Sequence, residues 1–85
     1  MHVRIYTTRV CPYCSAAKDL LDQKGVAYEE IDVSRDPATR AWLRTATGQH
    51  TVPQIFIGER ACGGFTDLRA LDQRGELDGL LAQGS

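Results

Sequence analysis

Cys11 and Cys14, in the run Cys11-Pro12-Tyr13-Cys14, are the residues of this 85-residue chain whose type and spacing best suit chemistry. Two thiols three residues apart can form and break a disulfide reversibly in the first turn of a helix, because positions i and i+3 share a face. Pro12 suits the first helical position, where its missing N–H costs nothing. Ala16, Ala17, Leu20 and Leu21 continue at helical spacing, and Gly25 after Lys24 reads as the stop. Cys11 then sits at the exposed end, where free N–H groups and the positive end of the helix dipole favour a thiolate. Cys14 lies one turn inside. The asymmetry makes Cys11 the attacking sulfur and Cys14 the resolving one.

Moving a thiol pKa from ~8.5 to ~5 raises the thiolate fraction at neutral pH about thirty-fold. A Brønsted slope of ~0.4–0.5 removes about the same factor from intrinsic nucleophilicity. The gain is therefore in Cys11 as a leaving group when a mixed disulfide on it is resolved. The competing use of the pair is half a zinc site, completed by Cys62, His50 or His2. A CxxC without a second close Cys/His pair makes a poor metal knuckle, so no metal is expected.

The elements that must position this pair follow from the hydrophobic pattern. His2–Tyr6 alternates polar and apolar and reads as a strand; Val26–Val33 reads as a second. With the CxxC helix between them they form a βαβ unit, parallel and right-handed. Asp36-Pro37 is a cap and first-position proline for a helix through Trp42, Leu43 and Ala46, ending near Gly48. Gln54–Ile57 and Arg60–Cys62 flank Gly58-Glu59, a two-residue hairpin signal. Thr66 is expected to cap a third helix carrying Leu68 and Leu71, with Gly75 as its stop, and Leu77, Leu80 and Leu81 predict a short final helix. Only Gln83-Gly84-Ser85 reads as a frayed tail. The order predicts an α/β fold, a four-stranded mixed sheet with helices on both faces, forming one domain over residues 1–85.

Ten Lys+Arg against eleven Asp+Glu leave a net charge of −1, which gives no sign of a nucleic-acid or membrane-surface partner. The apolar runs are too short to span a bilayer, and no charged leader with an apolar core precedes the first strand. Three cysteines argue against a secreted disulfide framework, so a cytoplasmic location is expected.

Three motifs in order resemble the small bacterial, dithiol type of glutaredoxin over essentially the whole chain. They are Cys11-Pro12-Tyr13-Cys14, Thr51-Val52-Pro53 before a strand, and Gly63-Gly64-Phe65-Thr66-Asp67 before a helix. The resemblance implies a thioredoxin-like fold, no bound cofactor, and glutathione as reducing co-substrate. It also implies a cis bond before Pro53, with the backbone of Val52 left to pair strand-fashion with the cysteinyl unit of glutathione. Thr51 and Tyr13 would help wall the groove. Gly64 would let the ligand approach the backbone, Thr66 would offer backbone N–H groups to a carboxylate, and Asp67 would accept the γ-glutamyl ammonium. Family members commonly place a lysine three residues before the nucleophile. Thr8 stands there in this chain, so Arg9 and Arg40 are the expected contacts of the glycyl carboxylate. Cys62 reads as a small buried hydrophobe, His50 as a solvated loop residue and Trp42 as packing.

The expected function is glutathione-dependent reduction of protein disulfides and of protein–glutathione mixed disulfides, by a monomer with no nucleic-acid or membrane partner. Two rivals are a redoxin of the same fold reduced by thioredoxin reductase and a non-catalytic holder of an iron–sulfur cluster. The pattern around Gly63–Asp67 speaks against the first, and Pro12 with Cys14 against the second.

Overall fold

A computed structural model describes residues 2–83, with the backbone alone at Gln83. Gly84 and Ser85, part of the expected frayed tail, lie outside the described residues, whereas Gln83 ends a helix. The chain order is β1 (Val3–Thr7), α1 (Pro12–Gln23), β2 (Glu29–Asp32), α2 (Pro37–Thr47), β3 (Gln54–Ile57), β4 (Arg60–Gly63), α3 (Phe65–Gln73) and α4 (Leu77–Gln83). The strands form one mixed sheet in the order β2-β1-β3-β4, with β1 parallel to β2 and antiparallel to β3. The expected βαβ unit and hairpin are both present. In the hairpin Ile57 pairs with Arg60 across Gly58, whose φ of 62° suits the first turn position.

Strand alternation divides the interior in two. Val3, Ile5, Ile55 and Ile57 face Ala17 and Leu21 of α1, Leu68 and Leu71 of α3, and Leu77 of α4. Tyr6 and Phe56 face the other way, onto Leu43 of α2 and onto Val33. Helices thus cover both faces, as expected. Lys24 just beyond α1 ties the first layer together: its ammonium lies 2.5 Å from Asp72 and 2.9 Å from Asp78, and those two carboxylates raise its pKa.

Some strand ends shift by one residue, since β1 is Val3–Thr7 and not His2–Tyr6, β2 stops at Asp32 and not Val33, and β4 runs on to Gly63, and two boundaries differ by more. β2 is four residues long instead of starting at Val26. Gly25 turns the chain at φ 70°, and the Val26 N–H closes back onto the Leu21 carbonyl, so Val26 and Tyr28 pack on the core from a loop. The cap of α3 is Gly64, not Thr66, which lies inside the helix. The capping acceptor comes from within: Asp67 Oδ2 accepts the Gly64 N–H at 3.0 Å.

Candidate functional site

Cys11 is the N-cap of α1, extended at φ −152° and ψ 94°, and its sulfur accepts the Cys14 N–H at 3.1 Å. Pro12 opens the helix as the sequence predicts, and no acidic residue in the first turn offsets the positive helix end. Cys11 and Cys14 are joined as a disulfide with their Cα atoms 5.1 Å apart. Cys14 is 2% exposed, whereas Cys11 is half-buried and reachable. The order of accessibility expected from the helix position is the one observed.

Across from the disulfide, the Val52–Pro53 bond is cis and the Val52 carbonyl oxygen lies 3.8 Å from Cys11 Sγ. A groove of about 300 Å³ runs from there to the start of α3. It gathers Tyr13, Thr51, Val52 and Pro53 on one side with Gly64, Thr66 and Asp67 on the other, seven of the nine expected glutathione-binding residues. Two more residues line it that the sequence reading did not assign to the site, Gln49 and Phe65. Phe65 faces Tyr13 with ring centroids 6.3 Å apart and planes tilted by 31°, so the two rings bridge α1 and α3 over the groove. No local pattern announces that contact, since it joins residues 52 positions apart.

The groove end at α3 depends on backbone geometry. β4 carries a register shift opposite Ile55 and Phe56, where Ile55 pairs with Gly63 and Phe56 with Ala61. The extra residue turns Gly63 to φ 80°, and its missing Cβ leaves room for the Asp67 carboxylate. One carboxylate oxygen holds Gly64 while the exposed side chain remains open to a cation.

Arg9 and Arg40 stand apart from this groove. Arg9 lines a separate cleft of about 300 Å³ with Asp32, Ser34, Arg35 and Asp36, and its backbone N–H donates to Ser34 Oγ at 2.8 Å. Arg40 is exposed on α2. Hydrogen bonds from Ser34 hold the Asp32 carboxyl below its usual range, and those from Thr39 do the same for Asp36. Cys62 is buried, and burial pushes its thiol pKa up. His50 is exposed in its loop, and Trp42 packs on Phe56 and Tyr6 at 5.8 Å. The described residues contain no group of three or more His, Cys, Asp or Glu able to hold a metal ion, and no helix among them is long and apolar enough to cross a membrane.

The glutaredoxin family model matches residues 3–61. The chain belongs to the glutaredoxin family. A curated glutaredoxin of Pseudomonas aeruginosa is 52% identical over 80 residues, covering 94% of this chain and 95% of the relative. The solution structure of glutaredoxin from Brucella melitensis superposes with a TM-score of 0.89 at 48% identity, covering all of this chain and 92% of that one. A crystal structure of a buckwheat glutaredoxin–glutathione complex gives 0.92 at 33% identity, over 96% of this chain and 77% of the other. The fold is thioredoxin-like, as the motifs implied. The chain is a thiol–disulfide oxidoreductase, and Cys11–Cys14 is its redox-active disulfide.

Proposed function

We propose that this enzyme takes its electrons from glutathione and reduces two kinds of substrate, protein disulfides and protein–glutathione mixed disulfides. With a glutathionylated protein, the Cys11 thiolate attacks the glutathione sulfur and the protein thiolate leaves. A second glutathione thiolate then attacks that same sulfur, releasing glutathione disulfide and Cys11. With a protein disulfide, Cys11 forms a mixed disulfide, Cys14 displaces the substrate thiol, and two glutathiones reduce the resulting Cys11–Cys14 bond. The observation that carries this reading is the Cys11 sulfur. It accepts the Cys14 N–H at the positive end of α1 and faces Val52 at the head of a groove that ends at Asp67.

In this reading the backbone of Val52 pairs with the cysteinyl unit, Pro53 and Thr51 shape the wall, and Tyr13 with Phe65 covers the groove. Asp67 receives the γ-glutamyl ammonium, Gly64 lets the ligand approach the backbone, and the first-turn N–H groups at Thr66 receive the γ-glutamyl carboxylate. Arg9 and Arg40 supply positive charge for the glycyl end from outside the groove. The glutathione bound by the buckwheat relative supports the assignment. We further propose that the domain spans residues 1–85 and acts as a cytoplasmic monomer without a bound cofactor.

The test is reduction of a small glutathione mixed disulfide coupled to glutathione reductase and NADPH. Turnover is expected there, and none when thioredoxin reductase replaces glutathione and its reductase. Turnover with thioredoxin reductase alone would overturn glutathione dependence.

A further inference from the structure

Gln54 is fully buried at the start of β3, in a strand whose other three members are apolar. A carboxamide in such a place costs free energy unless its hydrogen bonds are made. Only half of this one is satisfied. Its Nε2 donates to the Thr51 carbonyl and to Gln49 Oε1, each at 3.0 Å, whereas its Oε1 is a buried acceptor without a partner among the described residues. An aliphatic side chain would fill the site without that penalty. The residues it does hold, Thr51 and Gln49, both line the groove.

The peptide plane between Thr51 and Val52 gives this bond its consequence. The cis bond found among the described residues follows Val52, so the Thr51–Val52 bond is trans. In a trans peptide the C=O and the next N–H point in opposite directions. Tying the Thr51 carbonyl inward to the buried Gln54 amide therefore turns the Val52 N–H the opposite way, at a residue that itself lines the groove. That N–H is the donor a strand-like ligand needs, and the Val52 carbonyl on its other side faces Cys11 Sγ.

We propose that Gln54 is a positioning residue for the thiol-exchange reaction: it orients the Val52 N–H for the ligand's backbone, at the expense of an unpaired oxygen in the core. The inference rests on the reading that Val52 pairs with the cysteinyl unit of glutathione. Gln49, held through its own Oε1, lines the same groove. A buried polar side chain in an otherwise apolar strand, with one atom unpaired, is the kind of local misfit that marks function over stability.

The experiment uses the full-length oxidised protein, S-methylglutathione as a thiol-free probe, and ¹⁵N NMR titration beside thermal unfolding. In the parent protein the Val52 amide resonance shifts on titration. In Gln54→Met, which keeps shape and loses both donors, affinity falls about fivefold, one hydrogen bond's worth, and the Val52 shift shrinks. Its thermal midpoint is unchanged or higher, because the orphaned oxygen is gone. Gln54→Glu loses the probe at pH 8 and regains it as the buried carboxyl protonates and can donate again. Undiminished affinity and Val52 shift in Gln54→Met would overturn the role of Gln54, as would a binding loss tracking a lower midpoint in both variants. A Val52 amide that ignores the probe in the parent protein would instead overturn the strand-pairing reading itself.

Discussion

Replacing Gly63 by alanine separates the cost of backbone handedness from the cost of disturbing the groove. Gly48 serves as the control: it sits at φ 72° and a Cβ there would meet nothing within 4 Å, so Gly48→Ala incurs the left-handed penalty alone. That penalty is about 1–2 kcal/mol per residue, of which ~0.4–1 kcal/mol returns because alanine has less freedom to lose on folding. Gly48→Ala should therefore cost about 1 kcal/mol. Gly63 has nearly the same φ of 80°, but its Cβ would lie 2.8 Å from Asp67 Cγ and closer still to Oδ2. The carboxylate must swing away, which breaks its bond to the Gly64 N–H. Losing that bond and forcing the rotamer adds about 1–2 kcal/mol.

Urea unfolding should thus show Gly63→Ala less stable than Gly48→Ala by about 1–2 kcal/mol. Steady-state kinetics should show a second difference. With Asp67, the proposed ammonium acceptor, displaced, KM for a glutathione mixed disulfide is expected to rise about three- to tenfold in Gly63→Ala, while Gly48→Ala keeps the parent value. A small disulfide without a γ-glutamyl group should react with both variants alike. Equal stability losses within about 0.5 kcal/mol, with KM unmoved, would refute the link between the β4 bulge and the placement of Asp67.

Cys14→Ser should retain reduction of glutathionylated substrates and lose reduction of protein disulfides, checked by assaying both substrates side by side; loss of both would reverse the roles given to the two sulfurs. Asp36 caps α2 by accepting from the Thr39 N–H and hydroxyl, and its folded pKa is lowered. Its stabilisation is therefore present above the ordinary carboxylate value and disappears as pH falls through the folded one, so Asp36→Ala should lower the melting temperature at pH 7 and converge with the parent protein near pH ~2. Cys62, buried with a raised thiol pKa, should resist iodoacetamide in the folded protein while reduced Cys11 is alkylated at once; mass spectrometry after a short exposure reads the difference.

The sequence was most legible where local chemistry decides local structure. Pro12 and Asp36-Pro37 open helices where they stand, Gly25, Gly48 and Gly75 all adopt positive φ at helix ends, and Gly58-Glu59 makes the hairpin. Legibility failed where a side chain answers to a distant element. Val26 and Tyr28 have strand-like character but are used from a loop, because Gly25 and the Leu21 carbonyl delay pairing until Glu29. The α3 cap moved because Asp67, three residues on, supplies the acceptor that Thr66 was expected to provide. Seven expected ligand-binding residues converge since they came as intact motifs; Arg9 and Arg40 came singly, and neither lines the groove. Gln49 and Phe65 are groove residues through contacts with Gln54 and Tyr13, which no spacing rule encodes.

The open rims of the sheet have a consequence for colloidal behaviour. One rim is β2, whose Glu29, Glu30 and Asp32 are all exposed; the other is β4, broken by its bulge and led by the exposed Arg60. The first rim presents charged side chains to an added strand, Glu29 beside His2, Glu30 paired with Lys18, and Asp32, and the second rim lacks the regular spacing that a partner strand needs. Edge-to-edge addition of a strand from a second copy is therefore disfavoured at both borders, while the exposed end of the Cys11–Cys14 pair lies away from either one's hydrogen-bonding rim.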